Sequence, residues 1–197
     1  MRSFWLRLQQ EVEQFREYSD LAEIGEIARR LFAMNAFDGV LTIVGVLMGN
    51  YVAGVRNAAI VISTGLSTCF AMAISGLWGA YLTETAERKR ALNELESYTL
   101  TKLDKTKIGR ASGVAAIIVA LTDGLAPLLS ALVTLLPFFL HLDVVISYYS
   151  SLGLALAILF ALGVFLGTIS KVNLLISGLR MLGAGLVCIL LSYLLEH

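Results

Sequence analysis

The chain has 197 residues, 57% of them apolar and only 15% charged, with a formal net charge of zero at pH 7. A mean hydropathy of +0.79 excludes an ordinary water-soluble domain and places the chain among integral membrane proteins. The balanced charge offers no field of one sign, so no nucleic-acid partner is expected.

Residues 1–30 form the first segment, before any long apolar run. Phe4, Leu8, Val12 and Phe15 recur at helical spacing, with Glu11, Glu13, Arg16 and Glu17 turned elsewhere and Trp5 beside them. That pattern predicts an amphipathic helix lying at the membrane interface. Asp20 and Glu23 are spaced as a capping box for a second short helix. No cleavable signal is expected, because the apolar run begins only near residue 31.

Residues 31–197 read as an all-α domain of five membrane spans, since a spanning helix needs about 20 mostly apolar residues. The expected spans are Leu31–Val55, Ala58–Thr83, Ala111–Leu140, Val144–Ile169 and Leu174–Leu195. Pro127 and Pro137 predict a kink or an early end in the third. Lysines and arginines crowd residues 2–30, the connection 84–110, and the link at Lys171, whereas the opposite side carries only Arg56. The positive-inside rule therefore predicts a cytosolic N-terminus and an outer C-terminus. Cys69 and Cys188 fall inside apolar spans and read as packing residues.

Asp38 stands in a run with no other charge from 31 to 55, and Asp123 in another from 111 to 140. A carboxylate at membrane depth costs about 3 kcal/mol on insertion scales, so each is a candidate for moving a cation. At about 100° per residue, Met34, Asn35, Asp38, Thr42, Gly45 and Gly49 share one arc of the first span. Thr64, Gly65, Thr68, Met72, Ser75, Gly79 and Thr83 share a face of the second, and Ser112, Ala116, Asp123, Ser130 and Thr134 a face of the third. Each stripe alone reads as packing; the two aspartates tilt the balance toward a polar path.

Oxygens from Asp38, Asn35 and Thr42, with Thr68 and Ser75 opposite, suit a hard or borderline divalent ion. The thioether of Met72, and that of Met34, would favour Fe²⁺ or Mn²⁺ over Mg²⁺. Past Thr83 the helical pattern continues to Glu96, with Glu84, Glu87 and Glu94 within about 80° of each other. Such a row gathers cations at a pore mouth, or is a solvated face held by Glu84–Arg88 and Glu87–Arg90 pairs. No nucleotide loop, Cys/His cluster or nucleophile–base pairing is present, so neither an enzyme nor a bound cofactor is expected.

These residues resemble the vacuolar iron transporter family, with its yeast vacuolar and plant nodulin-like members. The likeness lies in Asn35-Ala36-Phe37-Asp38-Gly39-Val40-Leu41-Thr42, in Gly65-Leu66 through Ala73-Ile74-Ser75 and Gly79-Ala80-Tyr81-Leu82, and in Pro127-Leu128-Leu129 after Gly124. It covers roughly residues 30 to 195. The resemblance implies a homodimer with its path at or near the subunit interface, exporting Fe²⁺ or Mn²⁺ from the cytosol in exchange for protons, with Asp38 as the key acid. It implies a cell membrane in a prokaryote and a vacuolar-type membrane in a eukaryote. The chain departs from the family at four places. Gly76 replaces a pathway methionine, Thr68 a glutamate, and Asp123 a small residue; the 84–110 connection is shorter than the family's glutamate-rich domain. Two other readings stand beside this one: a proton-coupled carrier of another cation or small solute, and a non-transporting scaffold whose buried acids pair with Arg180 or Arg56.

Overall fold

A computed structural model of the chain describes residues 24–104 and 106–194, so the interfacial helices expected before residue 24 lie outside the described residues. Among those residues there are five α-helices and no strand: α1 (Ile24–Val52), α2 (Ala58–Thr99), α3 (Lys107–Phe139), α4 (Val144–Ser170) and α5 (Leu174–Leu194). All five are long and apolar enough to cross a membrane. The shortest has 21 residues, which at about 1.5 Å each matches a hydrocarbon core of about 30 Å.

Helices α2 to α5 each begin where a short polar side chain can satisfy free amides. The Asn57 side chain accepts from Ala59 N at 2.9 Å, Asp143 from Val145 N at 2.9 Å, and Asn173 from Leu175 N at 3.0 Å. Thr106 does the same for α3 through Gly109 N at 3.5 Å. Such caps are worth about 1 kcal/mol each. The α4 helix ends at Lys171, which takes a left-handed φ of 54° while its backbone N–H bonds Gly167 O.

The helices divide into two compact units. Among the described residues, one comprises 24–31 and 76–123; the other comprises 32–75 and 124–194. In the second unit, α1 buries Ala33, Ala36, Val40, Ile43, Val44, Leu47 and Met48 on one side. Ile43 and Leu47 pack with Val61, Cys69, Leu135, Phe138 and Tyr148 in one cluster. Val40, Val44 and Met48 pack with Ala155 and Leu159 of α4, against which Cys188 and Ile189 of α5 also lie. Both cysteines are free thiols in apolar surroundings, as packing residues should be.

Small residues set how closely these helices approach, because lipid offers apolar groups no advantage over contact with one another. A Cβ on Gly163 of α4 would lie 2.5 Å from Ser177 O and 2.7 Å from Gly178 Cα of α5. These two backbones touch. A Cβ on Gly65 of α2 would meet the Leu135 side chain at 2.7 Å.

At the end of this unit where α1 leads to α2 and α3 to α4, aromatic rings close the packing. The buried Tyr148 stacks edge-on against Phe138 and Tyr51, with ring centroids 5.1 and 5.2 Å away. Its hydroxyl donates to Val55 O at 3.1 Å. Tyr51 and Tyr149 share a hydroxyl–hydroxyl bond of 3.0 Å, and the Arg56 guanidinium lies 5.0 Å from the Tyr51 ring centre. Tyrosines and an arginine at a helix end are typical of a membrane–water boundary.

In the first unit, α2 remains helical well past its apolar stretch, to Thr99, as its patterning predicts. The chain then turns through Leu100 at φ 53°, and Glu96 accepts a hydrogen bond from Leu103 N.

Candidate functional site

Helix α1 has two unlike sides. Opposite the buried apolar row, Met34, Asp38, Thr42 and Gly49 are exposed, Asn35 is half-buried, and a Cβ at Gly45 or Gly49 would have nothing within 4 Å. The Thr42 hydroxyl donates to Asp38 O at 2.8 Å, tying the threonine to the turn that carries the acid. Met34 is 51% exposed one turn before Asp38, so it is the thioether on the acid's own face. Asn50 ends the same stretch of helix, and its amide donates to Thr64 Oγ1 of α2 at 3.0 Å.

The residue after the acid faces the other way. A Cβ on Gly39 would lie 2.5 Å from Pro127 O, 2.6 Å from Pro127 Cα and 2.6 Å from Ser130 Oγ. The Ser130 hydroxyl donates to Ala36 O at 2.9 Å across the same crossing. Pro127 has no N–H to continue its own helix, and α3 meets α1 at that point. The Asp–Gly pair therefore combines two requirements: a side chain on the exposed face, and no side chain on the face that meets α3.

The remaining expected site residues are dispersed. On α2, Thr68 is half-buried and donates to Thr64 O at 2.9 Å, while Ser75 is exposed. Met72 is half-buried against the apolar cluster around Leu135 and Tyr148, which is the packing role most helical methionines have. The third-span stripe is largely internal. Thr134 is fully buried and bonds Ser130 O at 2.9 Å, and Ser130 itself is spent on the α1 crossing. Asp123 is half-buried and belongs to the other unit.

Among the glutamates of the α2 extension, Glu84 bonds Arg88 through Nε at 2.9 Å, as the ion-pair reading expects; Glu87 and Glu94 are exposed. Among the described residues no three His, Cys, Asp or Glu side chains converge on a point that could hold a metal ion. Arg56 lies over Tyr51, a placement that the scaffold reading did not anticipate.

Sequence reasoning missed Asn50, the Gly39–Pro127 contact and the tyrosine cluster. The available signals were an amide within an apolar run, a glycine beside an intramembrane acid, and three tyrosines flanking two connections.

Five apolar helices with an acid on the exposed side of the first define an integral membrane protein with a polar intramembrane face. A sequence model of the VIT family matches residues 96–197, from the end of α2 through α5. An uncharacterized protein of the archaeon Methanocaldococcus jannaschii is 33% identical over 175 residues, covering 87% of this chain and 90% of that protein. The chain belongs to the VIT (vacuolar iron transporter) family, a family of membrane metal-ion transporters.

Proposed function

We propose that this protein exports a divalent metal, Fe²⁺ or Mn²⁺, from the cytosol in exchange for protons, as a homodimer whose path runs along the Asp38 face of α1. The observation that carries this reading is the exposure of Asp38, with Met34, Thr42 and open glycines on the same face. A carboxylate within an apolar span does not face lipid tails, so that face meets water or a second subunit. Two copies apposed there would bring two carboxylates, two methionines and their neighbouring hydroxyl and amide oxygens together. That donor set suits a borderline divalent ion. Family membership supports metal transport, and the basic residues of 2–30, 84–110 and 171 support a cytosolic N-terminus.

A carboxylate binds a cation only when it has released its proton. One residue can then hold either, which is the minimal chemistry of exchange. Asp123 is proposed as a proton site; Thr68 and Ser75 line the path, and Glu84, Glu87 and Glu94 gather ions before entry.

Metal flux into proteoliposomes under an imposed pH gradient, comparing Fe²⁺, Mn²⁺, Co²⁺ and Zn²⁺, tests the reading. Asp38→Asn keeps size and one carbonyl oxygen but removes the charge, and is expected to abolish flux while leaving assembly intact. Asp123→Asn should alter pH dependence more than metal binding. Wild-type flux in Asp38→Asn would sink the mechanism, and a monodisperse monomer in nanodiscs would sink the dimeric path.

A further inference from the structure

Within the first unit, a groove of about 620 Å³ runs between the extension of α2 and the start of α3. Tyr81, Thr85, Arg88, Lys89 and Leu92 line it from α2, at spacings that put them on one helical face. From α3 come Arg110 and Ser112, with Gly113, Val114 and Ile117 further along. Gly113 keeps the floor open, since a Cβ there would meet nothing within 4 Å. Arg88 and Ser112 also border an adjoining cavity of about 400 Å³.

The groove is graded in chemistry. Among the described lining residues, three cations, Arg88, Lys89 and Arg110, stand at one end with one acid, Asp104. The Glu84 carboxylate holds Arg88 at its Nε, which fixes the direction of the guanidinium. Toward the apolar part of both helices the lining changes to Tyr81, Val114 and Ile117, with Tyr81 43% and Ile117 52% exposed. The basic residues mark where both helices leave their membrane-spanning stretch.

We propose that this groove binds one anionic phospholipid, its phosphate between Lys89 and Arg110 with Arg88 beside them, and an acyl chain along Tyr81 and Ile117. A free phosphate ester would use the same cations but would leave the apolar wall uncovered, so the lipid is the occupant the lining fits. Basic pockets of this kind between membrane helices recognise anionic headgroups, each cation contributing about 5-fold in binding. This inference does not depend on which ion is carried.

Native mass spectrometry of the full chain, equilibrated in nanodiscs of equal phosphatidylglycerol and phosphatidylcholine and then released, tests it. Wild-type protein should retain phosphatidylglycerol preferentially. Lys89→Gln/Arg110→Gln should lose that preference by about 30-fold, with an unchanged elution profile in size-exclusion chromatography. Lys102→Gln/Lys171→Gln removes the same charge outside the groove and should retain the lipid as wild type does. Equal retention in the first double variant, or equal loss in the second, overturns the site. Displacement of the lipid by inorganic phosphate or glycerol 3-phosphate would overturn the lipid assignment in favour of a soluble phosphate.

Discussion

Gly39→Ala adds one methyl group to the helix turn that bears Asp38. The new Cβ would stand 2.5 Å from Pro127 O and 2.6 Å from Pro127 Cα, both backbone atoms that no rotamer change can move. Restoring even 3.0 Å to the nearer contact separates α1 and α3 by about 0.5 Å at the crossing. The same separation stretches the 2.9 Å Ser130–Ala36 bond. Overpacking of this kind costs about 1–3 kcal/mol, and an interhelical hydrogen bond in a membrane is worth about 0.6. The expected loss is therefore about 2 kcal/mol, roughly a 30-fold fall in the ratio of folded to unfolded protein. Thermal unfolding in detergent should show it, against Ser130→Ala as a control that loses only the hydrogen bond. Removing the serine hydroxyl in Gly39→Ala/Ser130→Ala relieves just one of the three close contacts, so the double variant should remain as unstable as Gly39→Ala. Recovery of stability in that double variant would refute the argument that backbone proximity is what requires the glycine.

Three further outcomes follow from contacts at other places. Gly163→Val places a branched side chain against the Ser177 and Gly178 backbones; it should lower the unfolding temperature more than Gly153→Val, whose site is open. Tyr148→Phe strands the Val55 carbonyl that the buried hydroxyl satisfies, and should cost about 1 kcal/mol, whereas Tyr149→Phe, at an exposed ring, should cost less in the same melt. Replacing Glu84, Glu87 and Glu94 together by Gln should raise the apparent KM for metal with little change in maximal flux, because lost attraction acts on capture; an unchanged KM would return these residues to a solvated face.

The five helices were legible because the bilayer imposes length and apolarity on any segment that crosses it. The expected Ala58–Thr83 span and its helical continuation became one helix to Thr99, and the third span stops at Phe139, two residues past Pro137. The polar face of α1 was legible too, since Met34, Asp38 and Thr42 are exposed at the spacing that groups them. The third-span stripe was not. A serine or threonine in a membrane helix satisfies its hydroxyl on a carbonyl one turn back or on a neighbouring helix, and Thr134 and Ser130 do one each. Periodicity places a hydroxyl on a face but does not say whether that face meets another helix. Gly39 shows the same limit, because its role lies in Pro127, 88 positions later in the chain. Arg88, Lys89 and Arg110 read in the sequence as basic residues of a connection, yet their common groove depends on how α2 and α3 lie together.

The three residues between α4 and α5, Lys171–Asn173, have a consequence for the order in which the second unit assembles. Gly163 and Gly178 meet across only 15 positions of chain, whereas the Cys188 thiol reaches Leu41 O across 147. Closing a loop about ten times longer costs about 2 kcal/mol more in chain entropy. The α4–α5 hairpin is therefore a piece that can form early from local contacts, as the α1–α2 pair can through Asn50 and Thr64, 14 positions apart, whereas the contact of α1 with α5 closes late. A lesion at the α4–α5 glycines strikes this early step and removes the surface on which the rest assembles. One at the α1 crossing leaves an intact hairpin beside an undocked first helix, a species that limited proteolysis would separate from the native protein.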